Sequence, residues 1–137
     1  MAGLGGTFAP TWFDTPAQDL PHTPRDDKRR HFVREDADAC RQLPNIDVLM
    51  THEAARPFIL VDEPQSGTRP RRRDAGKPAI NDVIAALKPR LHLCGHHHRF
   101  VETTREGVKS VCIDRINRSY LVIDAKTLGY HKIDNSL

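Results

Sequence analysis

The sequence predicts a mixed α/β domain with two sheets packed face to face. Three observations carry this. Two apolar runs, residues 46–50 and 91–94, flank a segment of strong helical periodicity. Strand–helix–strand connections of that kind favour parallel pairing with a crossover. Four further short apolar runs then follow one another with turn residues between them, which reads as an antiparallel meander. At 137 residues the chain has the length of one domain, or part of one.

The first thirty residues read as irregular. Gly3-Leu4-Gly5-Gly6 is glycine-rich, but Phe8 stands where a dinucleotide fingerprint needs another glycine, so a strand end running into a turn is the expected reading. Pro10, Pro16, Pro21 and Pro24 argue for a surface loop. Trp12 and Phe13 are expected to anchor that loop to a core. Val33, Ala37 and Cys40 recur at i, i+4, i+7, with Glu35 and Asp36 early and Arg41 late. That suits a short helix and its dipole, ended by Pro44.

Ile46-Asp47-Val48-Leu49-Met50 fits a largely buried strand that stops at Thr51-His52. Residues 58–61 form a strand or a packed loop. Residues 64–78 read as a basic loop. Ile80, Val83, Ile84 and Leu87 match i, i+3, i+4, i+7, with Pro78 in the first turn and Pro89 at the exit, so a helix is predicted over 79–88. Leu91-His92-Leu93-Cys94 reads as a strand ending at Gly95. Strands are then expected at 100–104, 108–113, 120–124 and 130–133, with turns at Glu106-Gly107 and Leu128-Gly129.

Composition excludes several classes. Leu, Ile, Val and Phe make up 32 of the 137 residues, just above the level at which disorder becomes the default. No apolar run approaches the roughly 18 residues that span a bilayer, so no membrane association is expected. Met1 is followed by Ala-Gly-Leu-Gly-Gly, with neither a basic n-region nor an apolar h-region, so no signal peptide is expected. Cys40, Cys94 and Cys112 are an odd count without motif spacing, which predicts reduced thiols and a cytoplasmic location. The net charge is +3. The basic excess sits in residues 64–78, where Arg69, Arg71, Arg72, Arg73 and Lys77 face a single Asp74. That is a local feature, not a chain-wide nucleic-acid signature.

The histidines carry the chemistry. Parallel strands present their C-terminal ends on one side of a sheet, where ligands of open α/β sheets bind. His52 follows one such end and Gly95-His96-His97-His98 follows the other. In an extended segment His96 and His98 point one way and His97 the other. Three imidazoles facing one point suit a metal ion. The competing readings are a surface accident or a purification tag; the run is internal, three long and abuts an apolar strand, which argues against a tag. His22, His31, His92 and His131 read as surface or core residues.

These residues resemble a known family. Gly95-His96-His97-His98 is similar to the Gly-His-x-His motif that closes the active site of calcineurin-like metallophosphoesterases. Asp47-Val48-Leu49-Met50-Thr51-His52-Glu53 resembles the preceding strand with its single metal-binding histidine. Arg30-His31-Phe32-Val33-Arg34-Glu35 resembles the branch containing RNA lariat debranching enzymes and their bacterial relatives. The resemblance implies that the chain is the C-terminal half of a four-layer α/β/β/α sandwich. It implies a phosphodiester or phosphomonoester hydrolase with two divalent ions, Mn, Fe or Zn. His52 and His96 would then ligate one ion and His98 the other. A phosphorylated substrate follows, with nucleic acid among the candidates.

The family's earlier motifs are missing. No Asp is followed two residues later by His, no Gly precedes Asp and no Asn precedes His. The bridging carboxylate and the general-acid histidine are therefore expected on an N-terminal half or a partner chain. Truncation, splitting and degeneration to a non-catalytic metal- or phosphate-binding module all remain open, as does a mononuclear three-histidine zinc site. Half a sandwich is expected to associate or to dissolve poorly. Arg71 and Arg72, on the segment joining the two histidine-bearing strands, are candidate phosphate clamps; a solvated loop tip is the alternative.

Overall fold

The computed structural model describes residues 1–62, 67–69 and 71–135. In chain order the strands are β1 (Ala2–Leu4), β2 (Thr7–Phe8), β3 (His31–Phe32), β4 (Val48–Thr51), β5 (Ile59–Asp62), β6 (Arg71–Asp74), β7 (Leu91–Cys94), β8 (Val101–Arg105), β9 (Val108–Cys112), β10 (Ser119–Ile123) and β11 (Tyr130–Asp134). Helix α1 (Arg34–Arg41) precedes β4, and α2 (Pro78–Leu87) precedes β7.

The main sheet has five strands in the order β1-β4-β7-β9-β8. β4 lies parallel to β7, with Val48 opposite Leu91 and Met50 opposite Leu93. The expected parallel pair with coincident C-terminal ends is therefore present. α1 opens with the Val33 amide donating to Asp36 Oδ2 at 3.0 Å, a side-chain acceptor for one of the orphan donors of the first turn. α2 carries Pro78 in its first turn and stops at Lys88, whose φ of +46° cannot continue a right-handed helix.

Alternation along the strands separates two apolar layers. Leu4 and Leu49 face the helices, where they meet Ala37, Cys40, Ala79, Ile80 and Val83. Leu91, Leu93 and Val111 face the other way, against Leu121, Ile123 and Tyr130 of the β10–β11 pair. Leu49, Ile80, Val83 and Val111 are fully buried. A five-stranded sheet thus carries helices on one face and a two-stranded sheet on the other.

Three expectations change. The final strands do not form one meander: β8 and β9 are an antiparallel hairpin, but β9 inserts beside β7 in parallel, and β10 and β11 form a separate sheet. The reason is burial. β7 is buried along its whole length and needs apolar neighbours on both edges; β9 brings Val108, Val111 and Cys112, whereas β8 is largely exposed and takes the edge. In the region read as irregular, the expected strand end is β1, which pairs parallel with β4 before the turn at Gly6 (φ +83°), but β2 follows it as a second strand, paired with β3. Phe13 anchors the loop as expected, its ring edge-on to Phe32 with centroids 6.0 Å apart.

Finally, residues 71–74 of the basic loop are a strand. β6 pairs antiparallel with β5, placing Val61 opposite Arg72 and Ile59 opposite Asp74. Asp74 fixes the base of this ribbon: its Oδ1 accepts from the amides of Phe58 and Gly76 at 2.8 and 2.9 Å, and its Oδ2 from Arg56 Nε at 2.8 Å. Residues 64–66 and 70, also within the expected loop, lie outside the described residues.

Candidate functional site at two strand ends

His52 follows the last residue of β4, and His96 follows Gly95 after β7. Because β4 and β7 are neighbours, the two imidazoles meet. Nε2 of His52 lies 2.9 Å from Nδ1 of His96, with the rings edge-on and their centroids 4.8 Å apart. Gly95 makes the approach: its amide donates to the His52 carbonyl at 3.2 Å. Both side chains are exposed.

Glu53 lies behind the pair. It is only 3% exposed. One carboxylate oxygen accepts from the Phe8 amide. The other lies 3.3 Å from Lys77 Nζ and 3.9 Å from His96 Nε2. Burying a carboxylate is costly without such partners. His96 therefore presents Nδ1 to His52, while its Nε2 lies 3.9 Å from the carboxylate, beyond hydrogen-bond distance. Desolvation lowers the pKa of His96, opposed by Glu53 and assisted by His52, Lys77 and His98. Glu53 stood beside His52 in the sequence, but nothing local marked it as buried; a carboxylate at an apolar strand end was the one available signal.

His98 is not drawn into the pair. Its Nδ1 accepts from Arg115 Nη2 at 2.9 Å. The expected extended geometry fails here because His96 and His98 both have left-handed backbones, with φ of +67° and +51°. The alternation rule applies to extended chain, and this segment bends at each of those residues. Such conformations are uncommon outside glycine and collect at functional sites. His97 does turn the other way: its ring stacks on Phe58, centroids 4.4 Å apart at 23°. Burial and neighbouring His96 push its pKa down to about 4. Among the described residues, no group of three His, Cys, Asp or Glu side chains closes on one point.

The platform beneath is a buried polar chain. Thr51 Oγ1 donates to the Glu53 carbonyl at 2.6 Å and meets His92 Nε2 at 2.8 Å, while His92 Nδ1 meets Ser110 Oγ at 3.0 Å. Since the Thr51 proton goes to the carbonyl, Nε2–H of His92 donates to Thr51 and Nδ1 accepts from Ser110. His92 is thus a satisfied core histidine, and its burial holds the pKa at about 4. Cys94 and Cys112 face each other across β7 and β9 as free thiols. Hydrogen bonding to Cys112 and burial raise the pKa of Cys94 far above its ordinary value.

The His52–His96 spacing suits an ion. Two ring nitrogens bound to one tetrahedral ion at ordinary Zn–N lengths stand about 3.4 Å apart, a shift of roughly half an ångström from the observed contact. Two donors fit; His98 would have to exchange Arg115 for the ion. Arg71 and Arg72 are exposed on β6 and lie outside the histidine pair. No protein-family model matches the chain, and comparison with curated proteins finds no match.

Proposed function

We propose that this domain is the histidine-bearing half of a metal-dependent phosphoesterase site. The observation that carries the reading is the contact between His52 Nε2 and His96 Nδ1 at the ends of adjacent parallel strands, backed by buried Glu53. His52 and His96 would hold one divalent ion, and His98 would serve a second after leaving Arg115. When bound, paired ions supply a hydroxide nucleophile and neutralise phosphoryl charge. The chain's own contribution is orientation. Gly95 brings the loop against His52, buried Glu53 sets a carboxylate 3.9 Å from His96 Nε2, and the Thr51–His92–Ser110 chain holds the strand ends together. Two adjacent cations need a shared anion, and Glu53 is committed to Phe8 and Lys77. The reading therefore places the bridging carboxylate on a further segment or a partner chain.

Titration of the chain with Mn²⁺ or Co²⁺, followed calorimetrically and by the Co²⁺ visible spectrum, tests this. Binding is expected, with loss in His52→Ala and His96→Ala and retention in His97→Ala. The chain alone is expected to hydrolyse an aryl phosphodiester negligibly. Binding that survives His96→Ala, or turnover at enzymatic rates that survives it, would overturn the proposal.

A further inference from the structure

The β5–β6 ribbon has no assigned role, and its design is specific. It forms its own two-stranded sheet. Its base is tied to the site: Phe58, the residue before β5, stacks on His97 and gives its amide to Asp74. From there the strands run outward, so that Val61 and its partner Arg72 lie about 10 Å along the ribbon from Phe58. Ile59, Val61, Arg71 and Arg72 are exposed, and Arg69 lies just before β6. Of the two acids on its strands, Asp74 at the base is already neutralised by Arg56 at 2.8 Å, and Asp62 stands opposite Arg71 across the ribbon, so Arg72, opposite Val61, carries the unopposed charge.

Successive strand residues point to opposite faces. Arg71 and Arg72 therefore project from opposite sides of the ribbon. That geometry discriminates between polyanions. A membrane surface is planar and engages one face. A single phosphorylated side chain needs guanidinium groups that converge. A nucleic-acid groove surrounds an inserted element and offers phosphates on both walls. The B-form major groove is about 12 Å wide and admits a two-stranded ribbon.

We propose that the β5–β6 ribbon is a nucleic-acid docking arm, with Arg71 and Arg72 contacting the phosphates of the two groove walls of a duplex. This names the substrate class for the phosphoesterase reading and rests on that reading only for the duplex being a substrate. The docking itself requires no metal and no turnover.

The test is fluorescence anisotropy of the full chain with a labelled 20-base-pair DNA duplex in EDTA, across a salt series. Salt-dependent binding is expected. The double variant Arg71→Ala/Arg72→Ala should weaken it about tenfold and reduce the slope of log K against log salt by about 2, the loss of two phosphate contacts. Arg25→Ala/Lys126→Ala removes the same charge from exposed positions elsewhere and should change neither. No duplex binding, equal loss in the two double variants, or a preference for phosphatidylserine vesicles over the duplex would each overturn the proposal. So would a single-stranded oligonucleotide of the same length binding as tightly. Circular dichroism melts confirm that each variant is folded. Because EDTA removes the metal, failure here leaves the phosphoesterase reading untouched, and failure of metal binding leaves docking untouched.

Discussion

Acidification from pH 7 to pH 5 should destabilise the domain through His92 in particular. His92 is fully buried between Thr51 and Ser110. Burial holds its folded pKa at about 4, against 6.5 for an ordinary imidazole. The unfolded chain therefore binds this proton first. The stability conferred by a neutral His92 is complete above pH 6.5 and drains as pH falls toward 4. With those two values, the loss between pH 7 and pH 5 is about 2 kcal/mol. Urea denaturation at both pH values measures it, with His92→Gln as the reference. Glutamine keeps hydrogen-bonding capacity but does not titrate. Other carboxylates and histidines contribute to both proteins and cancel in the difference. Wild type should lose about 2 kcal/mol more than the variant between the two pH values. Equal losses would refute the assignment of His92 as a neutral core residue pinning Thr51 beside His52.

Three further outcomes are expected. Ile80→Ala empties a fully buried position between α2 and β4 and should cost about 2–5 kcal/mol by urea denaturation; a loss below about 1 kcal/mol would place Ile80 outside the core. Gly76→Ala sets a Cβ 2.5 Å from both the Ala55 carbonyl and the Arg56 Cα. These are backbone atoms that cannot rotate away, so a loss of at least about 1–3 kcal/mol is expected; an unchanged melting temperature would contradict the close approach. Asp74→Ala removes the acceptor of the Phe58 and Gly76 amides. Hydrogen exchange by NMR should accelerate at both amides while β7 keeps its protection, because a local hydrogen bond is lost without loss of the core.

The sequence alone determined the elements whose periodicity is local. The i, i+3, i+4, i+7 pattern of Ile80, Val83, Ile84 and Leu87, bounded by Pro78 and Pro89, marked α2 to within a residue. The run Leu91-His92-Leu93-Cys94 marked β7, and its pairing with β4 brought His52 to His96. Tertiary structure decided the rest. Gly3-Leu4-Gly5-Gly6 read as a strand end running into a turn, but that the strand pairs with β4, over forty residues away, was set only by the packing. β9 sits between β7 and β8 because the buried β7 demands an apolar neighbour, a competition among distant segments that no window of sequence contains. The turning of His98 toward Arg115 follows from two left-handed residues in a segment whose spacing suggested extended chain. Arg71 and Arg72 read as loop until β5 supplied the partner that made them strand. In each case the faces of an element are written in its own periodicity. Its neighbours and the path of the backbone between elements are set by long-range packing, which minimises the free energy of the whole domain at once.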